Sequence, residues 1–132
     1  MSADLARYAD VAAVLKDYFD GLHHGDTQRL RRVFHPQAVY ATASNGKPLV
    51  LRMEEYFPIV DARPSPASKG EERTDEIVSI AFAGPVTALA TLRCSIRPKF
   101  FVDLLTLVKV DDRWQVIAKV FHWEEQAHAA GG

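Results

Sequence analysis

One segment in the second half of the chain alternates between apolar and polar residues over twelve positions. From Val86 to Arg97 the even-numbered residues are all apolar, and most of the odd-numbered ones are polar. Because successive side chains of a β-strand point to opposite faces, this pattern predicts a strand with one buried face. A sheet that contains such a strand needs a cover over that face, and the rest of the chain must supply it.

Three neighbouring segments also read as strands, and turn residues separate them from one another. Gly84-Pro85 precedes the alternating segment, and Asp111-Asp112 breaks the apolar run that follows it. The predicted strands are Glu76–Ala83, Phe100–Val110 and Arg113–Trp123. Successive strands joined by short turns favour an antiparallel sheet.

The first part of the chain has the spacing of helices. Apolar residues recur every three or four positions from Asp4 to His24, and Gly25 is typical of a helix end. Asp26 or Thr27 is expected to cap a second helix that runs through Val33. A sequence of helices followed by a run of strands predicts an α+β fold in which the helices cover the sheet.

The middle of the chain predicts smaller elements. Ala38–Ala43 and Lys47–Leu51 flank an Asn-Gly turn and form a short hairpin. Met53–Val60 is a short helix, interrupted or ended near Pro58. A long loop follows from Asp61 to Thr74, and we expect it to be mobile and to gate a pocket.

The length of 132 residues indicates one domain, which we assign to residues 1–126, with a disordered tail at 127–132. A formal net charge of −1 argues against nucleic acid as a partner. A single cysteine excludes an intrachain disulfide and a cysteine-based zinc site. With no long apolar segment and no leader-like N-terminus, we expect a cytoplasmic protein without membrane partner, metal or cofactor.

Three stretches resemble the nuclear transport factor 2-like superfamily: Asp17–Asp26, Val33–Ala38 and Val110–Phe121. Val102–Leu105 and Trp114–Phe121 are most similar to the proteins named "putative lumazine-binding". The resemblance implies a cone-shaped, cystatin-like α+β domain. Its N-terminal helices would pack in a curved, mainly antiparallel sheet, with a pocket between them.

The superfamily also includes ketosteroid isomerase, and two residues resemble its catalytic groups by position. Tyr18 corresponds to the catalytic tyrosine, and Asp103 to the protonated aspartate that donates to a ligand oxygen. Asp103 lies in an apolar strand, where an unpartnered carboxylate is costly, so it must be neutral, partnered or face a wet pocket. The structural alternatives are an ion pair of Asp103 with Arg93, Arg97 or Lys119 and an ordinary packing role for Tyr18.

The isomerase's general base has no counterpart, because its place falls at Thr42, whose hydroxyl has no useful basicity. His122 and His35 are the candidate replacements. Regular alternation puts His122 on the same face as Trp114 and Val116, so it is expected to point inward. His35 precedes Pro36, and its alternative role is that of an exposed residue at a helix end.

Aromatic residues supply candidate ligand contacts for a flat ring, although an ordinary core also needs such residues. The candidates are Tyr40, Tyr56, Phe57, Phe101, Phe121 and Trp123.

Three functions remain open. The first is binding of a small, flat, largely apolar molecule, lumazine-like or other, oriented by Tyr18 and Asp103. The second is an isomerase, dehydratase or cyclase that transfers protons through Asp103 and a histidine, with Tyr18 and His122 as the other catalytic candidates. The third is a non-catalytic interaction module. We also expect a homodimer, because Phe100–Val110 is apolar on both faces and one face suffices to cover the helices.

Overall fold

The structure, a computed structural model, describes residues 3–126. The tail predicted at 127–132 lies outside the described residues. Three helices and six strands follow one another along the chain. In chain order they are α1 (Ala3–His24), α2 (Thr27–Val33), β1 (Phe34–Thr42), β2 (Leu49–Arg52), α3 (Met53–Ala62), β3 (Glu76–Phe82), β4 (Thr87–Ile96), β5 (Lys99–Val110) and β6 (Arg113–Glu125).

The six strands form one curved sheet in the order β2-β1-β6-β5-β4-β3, and its two edge strands do not pair with each other. The strands β3 to β6 pair in sequence and antiparallel, as the alternation and the turns predict. The only parallel pair within residues 3–126 joins β1 to β6. The predicted α+β class with a mainly antiparallel sheet is confirmed.

Gly25 ends α1 and Asp26 caps α2, as the sequence predicts. Gly25 adopts a φ of +63°, a left-handed conformation that suits glycine at a helix end. The Asp26 side chain then accepts a hydrogen bond from the Arg29 backbone N–H at 3.1 Å and caps α2. This tight junction brings α2 back against α1.

The helices pack on one face of the sheet, and the core lies between them. Its largest fully buried side chains come from both layers and include Tyr18, Tyr56, Phe34, Leu15, Leu92 and Leu105. The opposite face of the sheet exposes aliphatic residues, among them Val102 (39%), Leu104 (43%) and Val120 (49%). This outer face therefore keeps the apolar surface that the sequence predicts for β5.

Among the element boundaries that differ from the sequence prediction, two concern a proline inside the element. The strand β1 begins at Phe34 rather than Ala38, and Pro36 is tolerated because the ladder between β1 and β6 is interrupted between Phe34 and Val39. Helix α3 continues through Pro58 to Ala62. Buried side chains on one side of α3 stabilise it beyond the cost of the hydrogen bond that proline removes.

The segment after α3 contains one turn of 3-10 helix at Ala67–Lys69 and several tethers. The Arg73 guanidinium lies 2.8 Å from Asp20 of α1, and the Glu71 carboxylate accepts the Arg97 backbone N–H at 3.0 Å. These contacts hold the segment against α1 and the end of β4. Its mobility stays a prediction.

Candidate functional site

A bulge in β6 decides which side chains reach the space under the helices. Thr106 of β5 pairs with Ala118, but the next residue, Leu107, pairs with Val116, so Ile117 has no partner. An extra residue reverses the alternation of faces along a strand. The inward side chains after the bulge are therefore Lys119, Phe121 and Trp123.

These side chains border a cavity of about 230 Å³. It lies between the helices and the ends of β4, β5 and β6 that meet near Pro98. An engineered cavity of roughly 150 Å³ is enough for benzene, so the volume suits one or two fused rings. The walls are formed by Leu22, Tyr40, Tyr56, Arg63, Cys94, Ile96, Arg97, Pro98, Lys99, Phe101, Asp103, Lys119, Phe121 and Trp123.

Aromatic rings form one continuous wall. The rings of Tyr40 and Tyr56 stack with centroids 4.5 Å apart, and Phe121 meets Tyr40 edge-on at 4.8 Å. Phe101 continues the wall at 5.9 Å from Phe121. Stacked and edge-on pairs are stabilising geometries for aromatic rings, and the four rings together give the cavity a continuous apolar wall.

A fully buried carboxyl group, Asp103, stands at the inner end of the cavity. The Tyr18 hydroxyl donates a hydrogen bond to its Oδ2 at 2.5 Å, and the Cys94 thiol lies 3.8 Å from the same oxygen. Within residues 3–126 its Oδ1 has no hydrogen-bond partner, and neither has the buried Tyr56 hydroxyl. Unsatisfied buried polar atoms are uncommon in folded proteins and often mark functional sites.

Burial raises the pKa of Tyr18 well above its ordinary value, and the Asp103 carboxyl raises it further. Both effects disfavour the phenolate, the first by desolvation and the second by charge repulsion. Tyr18 therefore keeps its proton at any physiological pH and uses it toward Asp103.

Lys119 is the second buried charged residue of the site, with 4% of its surface exposed. Its Nζ lies 4.9 Å from the ring centre of Phe121 and 5.3 to 5.4 Å from those of Tyr18, Tyr40 and Tyr56. Faces of aromatic rings attract an ammonium group electrostatically. Among the described residues, however, the Nζ makes no hydrogen bond and no direct ion pair.

Burial by itself lowers the pKa of Lys119, because it disfavours the ammonium. The neighbouring Tyr56, Asp103, Tyr40 and Cys94 act in the opposite direction, and together they outweigh burial, so the pKa lies above the ordinary value. Lys119 is therefore an ammonium at neutral pH. The site pairs a buried cation, with donors to spare, with a buried carboxyl that has one oxygen unused.

Three more cationic side chains border the cavity nearer to the solvent: Arg63, Arg97 and Lys99. Arg97 is exposed and the other two are half-buried. The Lys99 ammonium lies 4.2 Å from the centre of the Trp123 ring. We call Arg63, Arg97 and Lys99 the mouth cations.

Residues 6–122 match the model of the family described as "Putative lumazine-binding". The chain belongs to this family. The family's description names a small molecule, lumazine.

Solved structures agree on the fold. A nuclear transport factor 2-like protein of unknown function from Shewanella baltica has a TM-score of 0.84 and 23% identity, over 96% of this chain and 100% of that one. A similar protein of unknown function from Methylobacillus flagellatus has a TM-score of 0.79 and 21% identity, over 94% of this chain and 95% of that one. A relative by sequence, "Aldolase FrzH" from Cladobotryum sp, is 25% identical over 89% of this chain and 91% of its own length.

Five of the six aromatic residues predicted as ligand contacts border the cavity: Tyr40, Tyr56, Phe101, Phe121 and Trp123. Phe57 does not. It is buried in the core against Phe34, and the Arg31 guanidinium covers it at 4.8 Å from the ring centre. In α3, therefore, Tyr56 reaches the cavity and its neighbour does not, as expected for successive residues on a helix.

Tyr18 and Asp103 are in contact, but not in the predicted arrangement. Tyr18 is not among the cavity walls; it stands behind Asp103 and gives its proton to that residue. The prediction of two donors that face one ligand oxygen is wrong in this respect. The alternative of a direct ion pair to Arg93, Arg97 or Lys119 is wrong as well, because Asp103 forms none.

The inward orientation predicted for His122 is wrong, because the Ile117 bulge turns it to the outer face of the sheet. It contacts Ser44 and Glu124 there, each at 3.1 Å. His35 accepts the Gln37 backbone N–H at 3.0 Å and does not border the cavity.

Thr42 is no substitute base either, since its hydroxyl donates to the backbone oxygen of Phe121 at 2.7 Å. Whether any of these residues takes part in catalysis stays a hypothesis.

Lys119 is not among the site residues that the sequence predicts, and the sequence suggests it only as a partner for Asp103. A lysine between Ala118 and Val120 in an apolar strand was the available signal. Its face, however, depends on the bulge, which no local pattern marks.

Residues 3–126 contain neither a cluster of metal-ligand side chains nor a membrane-spanning helix. No three histidine, cysteine or acidic side chains come together there as a metal site would require. None of the helices that the structure describes has the length and apolar character needed to cross a lipid bilayer.

Proposed function

We propose that this protein binds a small, flat, carbonyl-bearing molecule in the cavity, with the ring against the aromatic wall. The observation that carries the proposal is the unsatisfied pair at the inner end. Lys119 has donors without an acceptor, and Asp103 Oδ1 has no donor. A ligand edge with a C=O beside an N–H or O–H supplies both at once.

The family description supports this ligand class, because lumazine is a flat heterocycle with adjacent C=O and N–H groups. The cavity volume of about 230 Å³ sets an upper limit of about two fused rings without large substituents inside the cavity. Tyr18 contributes indirectly, since its hydrogen bond to Oδ2 fixes the carboxyl and leaves Oδ1 for the ligand.

Isothermal titration with lumazine and with 2-naphthamide tests the proposal. Both are flat and carry a carbonyl next to an N–H donor. We expect one-to-one binding of at least one of them, and loss of that binding in Ile96→Trp, which fills the cavity from its half-buried wall. Val86→Trp is the matched control, because Val86 is exposed and remote from the walls. Binding that survives Ile96→Trp unchanged would contradict the proposal.

A second candidate function is enzymatic proton transfer next to a carbonyl group. The same two residues favour it: Lys119 is placed to stabilise a developing enolate oxygen, and Asp103 Oδ1 is placed to accept the α-proton. Asp103 would thereby act as the general base, the role for which the sequence suggests His122 or His35. The 25% identity to a protein named as an aldolase supports carbonyl chemistry as a class.

This candidate is tested by following α-proton exchange of 2-tetralone in D₂O by NMR. Catalysed exchange that falls at least tenfold in Asp103→Asn supports it. A rate that equals the buffer rate with the wild-type protein argues for binding alone.

The proposal includes a homodimer that pairs through the outer face of the sheet. Support comes from its exposed aliphatic side chains, which lie on adjacent strands: Val78, Leu89, Val102, Leu104 and Val120. Leu104 and Val120 are direct cross-strand partners, so the apolar surface is continuous there. Pairing of two such faces buries what one chain leaves exposed.

A further inference from the structure

We infer that the ligand is an organic anion, with its ring in the cavity and its acidic group at the mouth cations. This inference rests on the proposed function and adds the charge of the ligand. The carboxylate of a small aromatic or heterocyclic acid is the group that fits, because guanidinium and ammonium groups both bind it well.

The charge distribution around the cavity carries the inference. The walls include four cationic side chains, the three mouth cations and Lys119, and one acidic side chain, Asp103. The chain as a whole has a formal net charge of −1, so this excess is local. A concave site with charges of one sign focuses its potential and attracts ligands of the opposite sign.

Acidic side chains among residues 3–126 do not neutralise the mouth cations. None of the three forms an ion pair within residues 3–126. The Glu71 carboxylate accepts the Arg97 backbone N–H at 3.0 Å, and it pairs with the Lys69 ammonium at 2.8 Å rather than with the Arg97 guanidinium. Lys99 rests on the Trp123 ring, a contact that leaves its three N–H donors available.

The two ends of the cavity give the ligand its orientation. At the inner end a ligand carboxylate offers only acceptors and leaves Asp103 Oδ1 without a donor, whereas a carbonyl beside an N–H or O–H satisfies both Lys119 and Asp103. The acidic group therefore belongs at the mouth, which Arg63, Arg97 and Lys99 border. The mouth is also half-exposed, so the ligand carboxylate keeps part of its hydration there.

A matched pair of probes isolates the charge. 6-Carbamoyl-2-naphthoate and its methyl ester carry the same ring and the same amide for the inner end, and only the first has an anionic group for the mouth. We expect wild-type protein to bind 6-carbamoyl-2-naphthoate about tenfold more tightly than the ester at low salt, with the preference reduced at 0.5 M NaCl because exposed charges are screened. Equal affinities would overturn the inference but leave the proposed function intact. Absence of binding by either probe would count against both.

Arg97→Gln tests the mouth, and Arg93→Gln is its control. Both residues are exposed arginines at the surface of the sheet region and both changes remove one positive charge, but Arg93 does not border the cavity. We expect Arg97→Gln to weaken the binding of 6-carbamoyl-2-naphthoate about threefold to fivefold and to leave that of its methyl ester unchanged. Equal loss in Arg93→Gln, or no loss in the double variant Arg97→Gln/Lys99→Gln, would overturn the placement at the mouth.

Discussion

The inner face of β5 buries an acidic residue, whereas its outer face exposes aliphatic residues. On the inner face Asp103 is fully buried, whereas its neighbours on the outer face, Val102 and Leu104, are 39% and 43% exposed. A fold that served stability alone would place the acid outside and the aliphatic residues inside. The proposed function gives each departure a reason: ligand recognition on the inner face and association of two chains on the outer face.

The inner face should dominate the stability of the fold. Asp103→Ala leaves the Lys119 ammonium buried without its nearby carboxylate and the Tyr18 hydroxyl without its acceptor. We expect the free energy of unfolding to fall by about 3 kcal/mol, measured by urea denaturation. Glu76→Ala removes a mainly exposed acid that lies 4.0 Å from Arg93 and should cost less than about 1 kcal/mol. Similar losses of unfolding free energy in Asp103→Ala and Glu76→Ala would contradict the larger contribution of the inner face.

Tyr18→Phe is the next largest effect. It keeps the ring in the core and deletes the hydrogen bond to Asp103 Oδ2, so a buried carboxyl loses its close donor. The expected loss is about 1–3 kcal/mol in the same assay. Tyr8→Phe, at a position that is 44% exposed, serves as control and should change stability by less than about 0.5 kcal/mol. A neutral Tyr18→Phe would mean that the hydrogen bond contributes nothing.

The outer face should affect assembly rather than stability. Light scattering of the wild-type protein at micromolar concentration should give a dimer mass, and Leu104→Glu should give a monomer, because a buried unpaired charge is costly at an interface. Val50→Glu is the control, since Val50 is 60% exposed on the edge strand β2. A wild-type monomer would show that the aliphatic surface serves another purpose.

The smallest effect concerns the reactivity of Cys94. Burial raises the pKa of its thiol, and the Asp103 carboxyl raises it further, so the thiolate is scarce even at pH 9. Iodoacetamide should therefore alkylate Cys94 far more slowly in the folded protein than in urea. The alkylation rate of the folded protein should still rise with pH at pH 9. Mass spectrometry of the alkylated fraction measures both rates. Equal alkylation rates in the folded protein and in urea would mean that Cys94 is accessible to the reagent in the folded state.

The sequence predicted what depends on local pattern. Alternation in β4 correctly gave the buried face of Ala88, Ala90, Leu92 and Cys94, because that strand pairs without interruption to β5. The contact between Tyr18 and Asp103 was also within reach, since a buried acid needs a partner and the family resemblance brings the two positions together.

The sequence could not predict what depends on register between strands. Regular alternation in β6 sends His122 inward and Lys119 outward, and one unpaired residue, Ile117, exchanges them. The bulge is fixed by how β5 and β6 pair, not by the residue type at its position. The same holds for the mouth cations, which come from two separate parts of the chain, the end of α3 and the turn between β4 and β5.

The most direct test of the account is to locate the bound probe by NMR. In the complex with 2-naphthamide, we predict intermolecular NOEs from the probe to ring protons of Tyr40, Phe121 and Trp123, which form the cavity wall. NOEs to the methyl groups of Val102, Leu104 and Val120 instead would place the ligand on the outer face and contradict the account.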